Sequence, residues 1–208
     1  RNIFGNTAAT VGDLDGDGVD EVFVALQTDL GGVDSGFLLW GAALRDALAL
    51  QGADLQAGAL TAFERVAFTG DDRQEGTGRI SHLTGVEVGD VDSDGRDDLL
   101  ILMRRDKGSI DPADEDSGPI AYLVWGSALE RGITNTFSLT DLAAEDGVAL
   151  GGLARGAATD VVGTGADFDG DNQSDIVLGL ATQNRSIVIF GDALSAVGGN
   201  LDLATATN

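Results

Sequence analysis

The feature of this sequence that most constrains its fold is a short acidic loop that occurs three times at a constant spacing. The copies read Gly-Asp-Leu-Asp-Gly-Asp-Gly from residue 12, Gly-Asp-Val-Asp-Ser-Asp-Gly from residue 89 and Ala-Asp-Phe-Asp-Gly-Asp-Asn from residue 166. Their first aspartates, Asp13, Asp90 and Asp167, are 77 residues apart both times. Self-similarity at a fixed period indicates a repeat architecture. We therefore expect one array over residues 1–208, with repeats at approximately 1–70, 71–145 and 146–208.

Two apolar runs follow each acidic loop, and each run predicts a buried strand. The first runs are Val22–Leu26, Leu99–Met103 and Ile176–Leu180, and the second are Phe37–Trp40, Tyr122–Trp125 and Ile187–Phe190. Each second run stops at a glycine that opens a Gly-x-Ala-Leu segment. Trp40 and Trp125 recur at one position of the repeat, which predicts a packing role.

Weaker strand signals flank this pair and complete a predicted unit of four antiparallel strands, the composition of a propeller blade. The signals lie at 8–12, 86–89 and 161–166 before the loops, and at 63–68, 136–139 and 201–204 after the Gly-x-Ala-Leu segments. Helices are expected to be short, with residues 42–50 the clearest candidate. The predicted fold class is all-β.

The acidic loop has the residue pattern of a calcium site. Aspartates at loop positions 1, 3 and 5 can turn toward one centre, because glycine at position 6 allows a sharp backbone reversal. An acid recurs at position 9, and position 7 can contribute its backbone carbonyl. Hard oxygen ligands favour calcium, and we expect about three Ca²⁺ ions per chain. The expected ligands are Asp13, Asp15, Asp17, Val19 and Glu21, then Asp90, Asp92, Asp94, Arg96 and Asp98, then Asp167, Asp169, Asp171, Gln173 and Asp175.

Two other interpretations compete with a calcium site. An EF-hand needs a carboxylate at position 12 and a helix afterwards. Position 12 is Val24, Ile101 or Leu178, each inside a predicted strand, so the sequence disagrees with an EF-hand in all three copies. A solvated Asp-Gly turn is the second alternative. It becomes less favoured because the same spacing recurs three times. The third loop has Asn172 in place of glycine, and asparagine tolerates the left-handed conformation.

Composition limits the classes of function. Acidic residues number 35 against 12 basic ones, and the resulting net charge of -23 disfavours nucleic acid and anionic membranes as partners. The chain has no cysteine and a single histidine, His82, which excludes disulfides, thiolate metal sites and multi-histidine zinc sites. No apolar run approaches the roughly 18 residues of a membrane span. Without an apolar signal-peptide core after Arg1, the chain is expected to be mature or truncated.

At this point the residues resemble a known family. Phe4-Gly5, followed by the acidic loop from Gly12 and the strand from Val22, is similar to the FG-GAP repeat of integrin α-subunit propellers and their bacterial relatives. The resemblance covers nearly the whole chain, although a Gly-Ala-Pro element is absent after the second strands. It implies blades of four antiparallel strands with structural calcium in the loop between the first two. It also implies a ligand-binding face at the opposite end, formed here by residues 28–35, 105–118 and 70–79.

The resemblance implies a non-enzymatic, extracellular module, secreted or on a cell surface, that binds a protein or glycan ligand in adhesion. Propellers close with about 4 to 8 blades, so three repeats would need further blades from a longer chain or from another protomer, or would stack openly. Two alternatives remain open. One is an accessory or catalytic domain of a secreted hydrolase or lyase, and the other is a structural spacer without a ligand of its own.

Overall fold

The computed structural model describes residues 7–26, 35–51, 65–69, 81–105, 121–129, 135–151, 159–180 and 184–204. These residues form thirteen strands and two α-helices, so the all-β prediction is confirmed. The first strands are β1 (Thr7–Thr10), β2 (Val22–Leu26), β3 (Ser35–Leu39), β4 (Arg65–Thr69), β5 (Ser81–Glu87), β6 (Leu99–Arg105) and β7 (Ala121–Val124). The others are β8 (Asn135–Ser138), β9 (Gly147–Gly151), β10 (Thr159–Ala166), β11 (Asp175–Leu180), β12 (Arg185–Ile189) and β13 (Gly199–Asp202).

The Gly-x-Ala-Leu segments begin with a helical turn in all three repeats. The first opens helix α1 (Gly41–Gln51), the second forms a 3₁₀ turn over Gly126–Ala128, and the third opens helix α2 (Gly191–Val197). Helix α1 includes the predicted segment 42–50, which confirms that prediction. In the described part of the chain, neither helix is long and apolar enough to cross a membrane.

The strands form three separate sheets, one built around each acidic loop. The strand order is β1-β2-β3-β4-β8 in the first sheet, β13-β9-β7-β6-β5 in the second and β10-β11-β12 in the third. Each loop connects an antiparallel pair, namely β1 with β2, β5 with β6 and β10 with β11. The two strands predicted after each loop are also antiparallel neighbours.

The first two sheets each contain four antiparallel strands, but the predicted fourth strands of the second and third repeats are wrong. Strand β8, predicted as the fourth strand of the second repeat, pairs in parallel with β4 of the first sheet. Strand β13, predicted as the fourth strand of the third repeat, pairs in parallel with β9 of the second sheet. Each added strand covers backbone groups that an edge strand would leave unpaired. Neighbouring repeats are therefore connected by a strand that passes from one to the sheet of the other.

The sheets pack face to face through side chains that alternate along their strands. We call the face of a sheet that packs against the following repeat its forward face, and the opposite face its backward face. One buried cluster joins Phe23, Leu38, Trp40 and Phe68 of the first sheet's forward face to Leu99, Ile101, Tyr122 and Val124 of the second sheet's backward face. A second joins Leu100, Leu123 and Trp125 of the second sheet's forward face to Ile176, Leu178, Ile187 and Ile189 of the third sheet's backward face.

The tryptophan prediction is confirmed by these clusters. Trp40 is 0% exposed in the first cluster and Trp125 is 6% exposed in the second. Because the same face of each sheet packs against the next sheet, the three acidic loops lie at the same end of the stack. Backbone hydrogen bonds connect them in series, from Asp97 N–H to the Asp13 carbonyl at 3.2 Å and from Ser174 N–H to the Asp90 carbonyl at 2.9 Å.

Candidate metal centre

Each acidic loop closes through left-handed backbone at positions 4 and 6. At position 6, φ is 83° for Gly18, 90° for Gly95 and 70° for Asn172. Position 4 is left-handed as well, including the non-glycine residue Ser93 at 63°. The expectation that Asn172 would adopt this conformation is confirmed. Two left-handed residues in one short loop reverse the chain sharply enough to bring alternate side chains to one side.

Hydrogen bonds from the loop backbone hold the carboxylates in place, with the same pattern in every copy. In the first loop Asp13 accepts Asp17 N–H at 2.9 Å and Gly18 N–H at 2.8 Å. Asp15 also accepts Asp17 N–H, and Asp17 accepts Val19 N–H at 2.9 Å. The second and third loops repeat all four bonds at 2.8 to 3.1 Å. Position 7 therefore has its backbone fixed beside the position-5 carboxylate.

The carboxylates at positions 1, 3 and 5 converge in the first two loops. One oxygen each from Asp13, Asp15 and Asp17 lies within 4.8 Å of the others, and Asp90, Asp92 and Asp94 form the matching group. Calcium binds oxygen at about 2.3–2.6 Å, so oxygens this close can share one ion. A carboxylate oxygen that accepts one N–H keeps a further lone pair for a cation. The donor set therefore fits a hard divalent ion.

The third loop gathers its carboxylates differently. Asp167, Asp169 and the position-9 residue Asp175 form one group within 4.8 Å, and Asp169, Asp171 and Asp192 form another. Asp192 is the second residue of α2, where the other repeats have Ala42 and Ser127, and the sequence reasoning missed it. The available signal was an acid at the second position of the Gly-x-Ala-Leu segment in this repeat alone.

The position-9 carboxylates are buried, and each connects its loop to a distant glycine. Glu21, Asp98 and Asp175 are all 0% exposed. Asp98 accepts Val91 N–H at 2.8 Å with one oxygen and Gly126 N–H at 2.9 Å with the other. Glu21 and Asp175 repeat both bonds, to the position-2 amide of their own loop and to the glycine after the second predicted strand. We call this arrangement the carboxylate latch.

The latch separates position 9 from the other predicted ligands in the first two loops. Among the described residues, neither Glu21 nor Asp98 belongs to a group of carboxylates that could share one ion, whereas Asp175 does. Close packing at these glycines explains why a glycine opens the Gly-x-Ala-Leu segment after the second strand of each repeat. A Cβ on Gly126 would lie 2.3 Å from the Asp97 carbonyl, and one on Gly41 would lie 2.1 Å from the Asp20 carbonyl.

Burial perturbs the acidity of the latch. Desolvation raises the pKa of Glu21 to about 7 and that of Asp98 to about 7, against the opposing effect of the amide hydrogen bonds. At position 3, desolvation and the neighbouring Asp94 charge raise the pKa of Asp92. A hydrogen bond from the backbone N–H of Asn172 is the main cause of the lowered pKa of Asp167. Glu21 and Asp98 therefore ionise less readily near neutral pH than ordinary carboxyl groups do.

No protein-family model matches the sequence, and no curated protein or solved structure matches it either.

A glycine-to-alanine change at position 6 tests the loop conformation. Gly95→Ala should destabilise the fold by about 1–2 kcal/mol, because a Cβ strains left-handed backbone. Its Cβ would meet no atom within 4 Å, so crowding cannot account for the loss. Gly95→Asn, which copies the third loop, should cost less than half as much. Urea unfolding of the three proteins gives the comparison, and equal losses for alanine and asparagine would contradict it.

The latch predicts an unusual pH dependence in the calcium-free chain. The pKa of Glu21 and of Asp98 is about 7 when folded, above the ordinary values of 4.5 and 3.8. Protonation therefore favours the folded state, and the free energy of unfolding should fall as pH rises from the ordinary values toward 7. Between about pH 5.5 and 7.5 ordinary carboxylates are already ionised, so denaturation there reports on the latch and on other carboxyl groups with a raised pKa, such as Asp92. His82→Gln controls for histidine titration, and constant or rising stability would contradict the prediction.

Proposed function

We propose that this chain is a calcium-binding β-repeat protein in which calcium stabilises the three acidic loops. The observation that carries the proposal is the repetition of one loop geometry. The same left-handed residues and the same four backbone-to-carboxylate bonds recur in each loop, and they group the acids at positions 1, 3 and 5 within reach of one ion in the first two.

The ligand chemistry supports a hard cation such as calcium over zinc or copper. The donor atoms are carboxylate oxygens, and hard oxygen donors suit calcium better than zinc or copper. Three acids in one turn repel one another, and a divalent ion removes that repulsion. In the third repeat we include Asp175 and Asp192 among the candidate ligands, since both belong to its acidic groups.

Thermal unfolding with calcium and with chelator tests the proposal. Calcium at about 100 times its dissociation constant should add about 2.7 kcal/mol per site, which raises Tm by roughly 5–10 °C for each. Asp92→Asn should lose about one site's share of that increase. Asp46→Asn is the matched control, because Asp46 lies on α1 with its side chain 70% exposed. Equal Tm values in calcium and in chelator would contradict the proposal and indicate that the loops are turns without a metal ion.

We further propose that the three sheets are blades of an FG-GAP-type β-propeller, acting outside the cell as an adhesion or protein- or glycan-binding module. The support is the loop motif, the face-to-face packing of the sheets and the strand that follows each calcium loop. The proposed ligand face, at residues 28–35, 70–79 and 105–118, lies outside the described residues apart from Ser35 and Arg105.

Binding to cell-surface and matrix preparations tests the adhesion proposal. The purified chain should bind in calcium and lose binding in chelator, and deletion of residues 107–117 should reduce binding while leaving the calcium-induced Tm increase intact. A deletion in the calcium loops would abolish both properties, so the two sites are distinguishable. Binding that survives the deletion would place the ligand face elsewhere, and no binding in calcium would favour a structural spacer.

A further inference from the structure

The forward face of the third sheet exposes side chains that the other two sheets bury. Val188 is 47% exposed, whereas Leu38 and Leu123 at the same position of the repeat are 0% exposed. Phe190 is 42% exposed, whereas Trp40 is 0% and Trp125 is 6% exposed. At loop position 2, Phe168 is 57% exposed, and its counterparts Leu14 and Val91 are 0% exposed. Three of the four large exposed apolar side chains in the described part of the chain lie on this face.

The first sheet presents the opposite half of the same contact. Its backward face carries Val22, Val24 and Phe37, all partly exposed. These positions match Leu99, Ile101 and Tyr122, which pack against the first sheet's forward face. They also match Ile176, Leu178 and Ile187, which pack against the second sheet. The chain therefore holds both halves of an interface that it already forms twice internally.

The acidic loops at the two ends complement each other in the same way. Within the chain, the position-8 amide of each later loop donates to the position-1 carbonyl of the loop before it, as Ser174 does to Asp90 at 2.9 Å. Asp97 adds a side-chain contact, because its carboxylate accepts Asp13 N–H at 2.9 Å. At the two ends, Asp20 occupies position 8 of the first loop and Asp167 occupies position 1 of the third, and both are exposed.

We propose that the forward face of the third sheet binds the backward face of the first sheet in a second copy of this chain. Val188 and Phe190 then take the buried positions of Leu123 and Trp125. The backbone N–H of Asp20 in one copy donates to the backbone carbonyl of Asp167 in the other. The contact is heterologous, and two such contacts close two copies into a ring of six sheets, within the 4 to 8 blades of known propellers. Each copy has a net charge of -23, so salt and calcium should favour association. The proposal does not rest on ligand binding by the loops or on adhesion.

Sedimentation velocity on a pair of complementary variants tests it. The wild-type chain in calcium and about 0.15 M salt should sediment as a dimer. Val188→Asp places a charge on the forward face of the third sheet, and Val24→Asp places one on the backward face of the first sheet, so each blocks contact through that face. Each variant alone should sediment as a monomer, with an apparent dissociation constant at least about 100-fold weaker than wild type. Mixed at equal concentration they should form a one-to-one dimer, because one intact pair of faces remains.

Controls separate this interface from misfolding and from other contacts. Circular dichroism and the calcium-induced Tm increase should be unchanged in both variants, so a failure of the calcium proposal would be seen separately. Arg185→Gln, at an exposed position on the same strand β12 but on its other face, should remain dimeric. A wild-type chain that stays monomeric at about 100 μM would overturn the proposal. So would variants that fail to associate when mixed, or a Val24→Asp protein that remains a dimer.

Discussion

Replacing Asp98 with alanine is expected to lower the free energy of unfolding by about 2–6 kcal/mol, because two buried backbone amides lose their acceptor at about 1–3 kcal/mol each. The amides are those of Val91 and Gly126, which connect the second loop to the turn after β7. Typical domains are stable by about 5–15 kcal/mol, so this loss approaches unfolding. Urea denaturation at constant calcium measures it.

The same change separates the latch from a calcium ligand. If Asp98 acts through its hydrogen bonds, the loss should persist in chelator. If it acted only as a calcium ligand, the variant and the wild type would be equally stable without calcium. Asp98→Asn keeps one acceptor oxygen and should lose about half as much. Glu145→Gln, at an exposed position, is the control for removing one charge and should change stability by less than about 0.5 kcal/mol.

Truncation of Phe23 is the second large effect, with an expected loss of about 3–5 kcal/mol for Phe23→Ala. Phe23 is 1% exposed, and the centroid of its ring lies 5.8 Å from that of the Phe68 ring. It packs between two glycines, because a Cβ on Gly36 or Gly85 would each approach a Phe23 ring atom to 2.4 Å. Gly85 is on β5, so Phe23 joins the first sheet to the second.

A compensating pair makes this packing prediction specific. Gly85→Ala alone should overpack the site and cost about 1–3 kcal/mol. Combined with Phe23→Ala, which removes the Cγ and Cδ1 atoms that the new methyl group would meet, it should cost less than the sum of the two single changes. Phe190→Ala is a matched control on a phenylalanine that is 42% exposed, and below the dimerisation concentration it should lose less than Phe23→Ala. Strict additivity of the Phe23 and Gly85 changes would contradict direct contact.

The strands that the sequence predicted correctly are those whose signals are local. β2, β6 and β11 follow their loops as apolar runs, and their partners come within the next apolar run. The left-handed residue Asn172 was also predictable, because loop position and residue type determine it. The pairing partners of the edge strands could not be predicted from the sequence. A weak strand signal such as that at 136–139 indicates a strand, but the pairing of β8 with β4 of the preceding repeat depends on how the sheets stack.

The candidate site shows the same division. Positions 1, 3 and 5 converge in the first two loops because adjacent residues and a tight turn bring them together. The role of position 9 depends on glycines far along the chain, since Glu21 bonds the amide of Gly41 and Asp175 bonds that of Gly191. Asp192 joins the third acidic group from the start of a helix. Neither contact is visible from spacing within the loop.

Calorimetric titration with calcium, on the wild-type chain and on one variant per loop, tests whether the acidic loops bind calcium. We expect about three calcium ions per chain, one for each repeated loop. Asp15→Asn, Asp92→Asn and Asp169→Asn should each remove or weaken one site and leave the other two. No heat of binding at millimolar calcium, or a stoichiometry that none of the three variants changes, would contradict the assignment of the acidic loops as calcium sites.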